Sequence, residues 1–203
     1  MQVANLAEHA TELVGGNTLL VRTGALYHDI GKIKNAQYFT ENQSSITSPH
    51  DELSYVESAE IIISHINDGI ELAKKYKLPD IVVDFIRTHH GTSRVEYFYR
   101  KYKADHADAV EFSQFQYPGP KPFSKETAIV MMSDAVEAST RSLPEKSEQS
   151  ISEMIDRVID HQLATNQLDN ADITLKEINL IKEAFKRFMR GVYHVRISYP
   201  EAD

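Results

Sequence analysis

His28 and Asp29 stand side by side in the run Gly24-Ala-Leu-Tyr-His-Asp-Ile-Gly-Lys32 of a 203-residue chain. An adjacent imidazole and carboxylate can ligate two neighbouring metal ions at once, because a carboxylate has two oxygens to share. Further along come His65, the doublet His89-His90, and Asp134 in Val130-Met-Met-Ser-Asp-Ala-Val-Glu137. Each lies in apolar sequence that should be buried helix, where a polar group needs a partner. A lone histidine such as His65 is ordinarily a core residue bonded to a carbonyl. Two consecutive histidines are harder to explain that way, since neighbours on a helix point about 100° apart. Both converge only on a shared object at a helix end. The chain has no cysteine, so any metal must be held by nitrogen and oxygen. That argues against a structural zinc site and suits a reducing compartment.

The elements that must position these residues read as helices. Apolar residues recur at helical spacing over Val3 to Val14, Leu19 to Tyr27, Val56 to Tyr76, Ile81 to Thr88, Ala128 to Ser139, Ile151 to Leu163 and Ile173 to Val195, with little strand-like alternation. Gly15-Gly16 should end the first helix and Asn17 cap the second, and Leu78-Pro79-Asp80 should separate two more. The second helix is expected to turn Leu19, Leu20, Ala25 and Leu26 inward and to end at His28-Asp29. Gly31 then permits close backbone approach. Three stretches break the pattern: a polar loop from Lys34 to Asp51, a segment from Asp105 to Lys125 containing Pro118-Gly-Pro-Lys-Pro122, and a short joint from Leu143 to Ser150. The first is long enough to expect a functional loop. The second cannot be helix at its prolines and should form a rigid arm or lid.

This set of His28, Asp29, His65, His89, His90 and Asp134 resembles the HD-domain phosphohydrolases. With Asn5-Leu-Ala-Glu8, Leu72-Ala73, Thr88-His-His-Gly-Thr92, Tyr97-Phe-Tyr99, Tyr117-Pro-Gly-Pro-Lys-Pro122 and Ser133-Asp-Ala-Val-Glu-Ala138, the chain is similar to the intracellular HD domain of seven-transmembrane receptors, the PgpH type of cyclic di-AMP phosphodiesterase. The likeness runs from Val3 to about Arg196. It implies an all-α HD-domain bundle with a dinuclear metal site at its centre, residues 1–203 forming one domain of a longer membrane protein. Asp29 would bridge two divalent transition-metal ions. His65, His89 and His90 would complete one site, and His28 with Asp134 the other. The donors suit iron, manganese, cobalt, nickel or zinc, with iron or manganese expected. Family members carry one more histidine about 29 residues before the His-Asp pair, a position ahead of Met1, so the second set is one ligand short as written. Truncation explains this better than loss, and His9 lies about ten residues too late to replace it.

Asp29 and Lys32 are the expected catalytic residues, Lys32 as an ammonium for a phosphoryl oxygen. Arg94 and Tyr97 are expected to meet substrate, as phosphate partner and base platform, whereas Tyr99 and Arg100 read as amphipathic packing. Glu137 and Arg141 are either ligand-orienting groups or a surface ion pair. His50, His106, His161 and His194 match no ligand position and read as structural. The expected reaction is hydrolysis of cyclic di-AMP to linear pApA by metal-activated hydroxide, on the cytoplasmic side of the membrane. Two rivals are a cyclic-dinucleotide sensor without turnover and an HD nucleotidase or alarmone hydrolase. A net charge of −8 disfavours long nucleic acid as partner. No stretch reaches the roughly 18 to 20 apolar residues of a membrane span, so the membrane enters only through upstream segments.

Overall fold

The computed structural model describes residues 1–43, 48–106 and 112–193. Among them are eight α-helices: α1 (Gln2–Val14), α2 (Thr18–Tyr27), α3 (Tyr55–Lys75), α4 (Asp80–Thr88), α5 (Glu96–Asp105), α6 (Lys125–Arg141), α7 (Glu148–Ala164) and α8 (Leu175–Tyr193). Extended pairing among the described residues amounts to one isolated bridge, Arg94 to Gln116. None of the helices is long and apolar enough to cross a membrane.

Five of the eight helices start where a short polar side chain takes up a free backbone amide, and α1, α4 and α5 start without one. Asn17 accepts from the Leu20 amide at the head of α2. Ser54 and Glu57 form a reciprocal capping box on α3, and Ser124 caps α6. Gly15 closes α1 with a positive φ of 69°. Lys77 at φ 55° and Asn166 at φ 58° close α3 and α7, with Leu78 N bonded to Ala73 O and Gln167 N to Gln162 O. That six-to-one bond after a left-handed residue is a Schellman closure.

Two apolar clusters result. The larger joins α1, α2, α6, α7 and α8 through fully buried side chains such as Leu6, Ile129, Met132, Ile155, Ile181 and Phe185. The smaller is aromatic: Phe98 and Tyr99 of α5 and Phe115 pack on Ala59 of α3. Between α2 and α3 lies a 3-10 run, Ile30–Tyr38, broken by non-helical backbone at Asn35. It is pressed so closely on α3 that a Cβ at Gly31 would overlap the His65 carbonyl and the Gly69 amide. The close approach expected at Gly31 is therefore against the helix that carries His65.

Several expectations need correcting. Leu19 and Leu26 face solvent, at 74% and 48% exposed, and the buried stripe of α2 is Val21, Gly24 and Ala25. His28 continues that stripe at the same helical spacing, so the helix is rotated relative to the expected packing face. The polar stretch after Lys34 is not featureless: Thr40–Asn42 and Pro49–Glu52 are 3-10 turns, while Ser44 and Ser45 lie outside the described residues. Helix α5 escaped the periodicity because its apolar side chains are Tyr and Phe set among Arg and Lys rather than aliphatics. His194 and Val195 also lie outside the described residues.

Candidate functional site

Two helix ends and two helix interiors deliver the chemistry to one point. His28 caps α2 and His89 caps α4, with Asp29 and His90 following them directly. His65 comes from the middle of α3 and Asp134 from α6. Asp29 faces two ways: its Oδ2 lies 3.1 Å from His28 Nε2, and its Oδ1 lies 3.6 Å from both His65 Nε2 and His89 Nε2. Asp134 straddles in the same manner, with Oδ1 3.3 Å from His28 Nε2 and Oδ2 4.0 Å from His90 Nδ1. His65, His89 and His90 gather ligand atoms within 4.8 Å of one another, and so do His28, Asp29 and His89.

The imidazoles are aimed before anything binds. His28, His65 and His89 each donate Nδ1–H to a backbone carbonyl three residues earlier, those of Ala25, Ile62 and Ile86. A carbonyl can only accept, so the donor must be Nδ1–H and Nε2 is left to face the carboxylates. That is the arrangement in which metal-ligating histidines are usually held. His65 Nε2 and His89 Nε2 come within 3.1 Å of each other, and two bare nitrogens so placed call for a cation between them. His28 Nε2 and Asp29 Oδ1 are buried without a hydrogen-bond partner. These residues fit a metal-ion site of mixed nitrogen and oxygen donors.

The electrostatics agree. Burial lowers the pKa of His65 to about 4, helped by His89, and the same two causes hold His90 well below its ordinary value. Both present lone pairs at neutral pH. Burial opposes charge on His28 too, but Asp29 and Asp134 outweigh it and raise its pKa well above the usual range. Burial would likewise raise Asp29, yet His28, His89 and Lys32 keep it well below the ordinary carboxylate value. Asp134 is also held low, against burial, by His28. The carboxylates demand positive charge, and a proton on His28 answers where a metal ion could.

The cluster opens into a cleft of about 1250 Å³ lined by His65, His90 and Asp134 on one side and by Tyr97, Phe98, Lys101 and Tyr102 of α5 on another. Such a volume exceeds the usual range for a drug-sized ligand. Lys32 reaches in with Nζ 2.8 Å from Asp29 Oδ2 and 2.8 Å from Glu41 Oε1, over the Phe39 ring. Tyr97 is 63% exposed at the rim. Arg94 is turned elsewhere: its guanidinium pairs with Glu96 at 2.7 Å and lies over the Tyr99 ring, and it is not among the lining residues. Tyr99 is buried and Arg100 pairs with Glu96. Arg141 bonds Glu137 at 3.0 Å and lies 3.8 Å from Glu41, so it joins the wall of the cleft as well as forming the surface pair. His50 and His106 line the cleft, whereas His161 is exposed on α7.

Two neighbours of the cluster were not singled out from the sequence. Tyr117, 7% exposed, stacks on the His90 ring at 4.2 Å. Burial pushes its phenol pKa up, as do Asp134 and Asp29. Phe39 sets its ring edge-on to His65 at 5.8 Å. Tyr117 opens the Pro-Gly-Pro segment expected to form an arm, and that motif was the available signal.

The profile of the HD domain family matches residues 1–139. The chain is 45% identical over 202 residues to the cyclic-di-AMP phosphodiesterase PgpH of Bacillus subtilis (strain 168), covering 100% of this chain and 28% of that protein. It is 43% identical over 201 residues to the cyclic-di-AMP phosphodiesterase PgpH of Listeria monocytogenes serotype 1/2a (strain 10403S), covering 99% and 28%. The chain thus spans little more than a quarter of either relative. The crystal structure of the L. monocytogenes PgpH HD domain in complex with cyclic-di-AMP superposes with a TM-score of 0.91 at 43% identity, covering 98% of this chain and 92% of that one.

Proposed function

We propose, from the premise that the chain belongs to the HD-domain family, that it is a metal-dependent phosphodiesterase opening cyclic di-AMP to linear pApA. The observation that carries this reading is the two-faced Asp29, with one oxygen toward His28 and the other toward His65 and His89, beside a cleft roomy enough for a dinucleotide. The adenine preference rests on what the two PgpH relatives are named for.

In this reading His65, His89, His90 and Asp29 hold one divalent ion, and His28, Asp134 and Asp29 the other, iron or manganese being the first candidates. Such ions would supply a hydroxide near neutral pH and neutralise charge at the phosphodiester. The protein's own contribution is aim and charge. The carbonyls of Ala25, Ile62 and Ile86 fix three imidazoles in one tautomer. Lys32, kept cationic by Asp29 and Glu41, offers an ammonium to a phosphoryl oxygen. Tyr97 presents an open ring for a base to stack on, and Arg94 would have to leave Glu96 to reach a phosphate. Residues 1–203 act as one catalytic domain.

The test is to load the chain with manganese or iron, add cyclic di-AMP and look for pApA by chromatography. Linear product is expected. Tight binding by calorimetry with no product would replace this reading with that of a sensor.

A further inference from the structure

Three of the four clustered imidazoles carry their own aim, and His90 does not. It has no carbonyl behind its ring among the described contacts; it stacks on Tyr117 and stands 4.0 Å from Asp134. Its placement rests instead on those ring and carboxylate contacts and on the turn that follows it. That turn is short, with Gly91 N bonded to Thr88 O at 2.9 Å and Ser93 N to His90 O at 3.0 Å. Gly91 sits at φ +52°, a left-handed position that favours glycine.

The turn is clamped from a distant part of the chain. Gln167, 4% exposed, follows the left-handed Asn166 that closes α7. Its Oε1 accepts from the Thr92 amide at 2.9 Å, and its Nε2 donates to Thr165 O at 3.2 Å. A Cβ on Gly91 would meet Gln167 Oε1 at 2.5 Å, so the carboxamide lies flat against the turn. One helical turn earlier, Gln162 donates to Met131 O, which ties the same end of α7 to the helix carrying Asp134. Both glutamines lie beyond the residues matched by the family profile, 1–139.

We propose that Gln167 is a positioning residue for His90, holding the Gly91-Thr92 turn so that the His90 imidazole meets the metal ion at which His65 and His89 are already aimed. The proposal rests on the metal-site reading above but not on the substrate. Its test is manganese affinity, measured on the full chain by isothermal titration with no nucleotide present, alongside the melting midpoint of the metal-stripped protein. Gln167→Met keeps the volume and removes the bonds, and should weaken manganese binding by roughly 10- to 100-fold, as loss of a ligand's outer partner does. Gln167→Glu keeps the oxygen that Thr92 donates to while losing the donor to Thr165 O, and should weaken manganese binding less than Gln167→Met does. Unchanged affinity in Gln167→Met would overturn the proposal. So would an equal loss in both variants matched by an equal fall in melting midpoint, the signature of a structural role. A native chain that binds manganese but leaves cyclic di-AMP intact would remove the phosphodiesterase reading while the Gln167 effect could still stand.

Discussion

On the metal side of the cleft, the buried imidazoles of His28, His65 and His89 are locked by bonds inside their own helices. On the α5 side, Tyr97, Lys101 and Tyr102 are held by ring contacts and cation–π pairing, with Tyr97 open to water and Lys101 Nζ 4.9 Å from its ring centre. One side fixes the direction of three of its four imidazoles. The other leaves its groups room to adjust. Chemistry on a phosphodiester needs fixed geometry, whereas stacking on a base tolerates variation because every base has a π-face. Under the proposed function the contrast is one of division of labour, with the reacting groups on the rigid helices and the recognition groups on a partly exposed one.

The contrast breaks most severely at Asp29. Asp29→Ala should remove both ions and all hydrolysis together, with metal affinity down by at least ~100-fold, the upper end of the cost of losing only an outer partner. Elemental analysis that still finds two ions per chain would show that Asp29 does not bridge. Next come the two cores that support the two sides. Phe185→Ala, in the aliphatic core, should cost about 3–5 kcal/mol in urea unfolding and carry metal binding with it. Phe115→Ala, in the aromatic cluster, should cost toward the lower end of that range while manganese content is retained; loss of metal from the folded variant would erase the division. A smaller effect is expected at Tyr97. Tyr97→Ala should raise KM about 5- to 150-fold, the equivalent of one stacked base at 1–3 kcal/mol, with kcat held. A fall in kcat at constant KM would count against an adaptable wall.

The smallest effect tests the far side of the aliphatic core. Lys125 lowers the Glu177 pKa from its ordinary 4.5 to about 2, helped by Thr174. A carboxylate depressed in the folded state adds stability above about pH 4.5 and loses it as pH falls through about 2. Glu177→Gln should flatten the stability profile over that window and leave the metal side untouched. Denaturant midpoints measured from pH 5 down to pH 2 would show it, and equal slopes in both proteins would discount the pair.

Much of the rigid side was legible in the sequence, because buried polar residues in apolar helical runs announce that they need partners. His65 in α3 and the His89-His90 doublet at the end of α4 are of that kind, and the structure brings them beside His28, Asp29 and Asp134. The adaptable side was harder to read. Helix α5 carries no aliphatic stripe, and Tyr117 and Phe39 lie on irregular backbone, where no periodicity says which way a side chain turns. The packing face of α2 was misplaced for a different reason. Leu19 and Leu26 are as apolar as Leu20, but burial followed the side of the helix that His28 must occupy. A residue that must meet partners sets the rotation of its helix more firmly than hydrophobicity does. Gln167 could not have been anticipated, since its effect on the turn after His90 depends on a contact 75 residues away in sequence.

A carbonyl three residues behind each of His28, His65 and His89 makes the direction of the ring a property of one helical turn rather than of the bundle. If α3 slides against α2, the nitrogen of His65 is carried along without being rotated, and the cluster changes its spacing while keeping its bearings. The Gly31 contact on the His65 carbonyl limits how far such a slide can go. Each ring's direction is thus fixed relative to its own helix, and the packing of the helices on one another sets the distances between the rings.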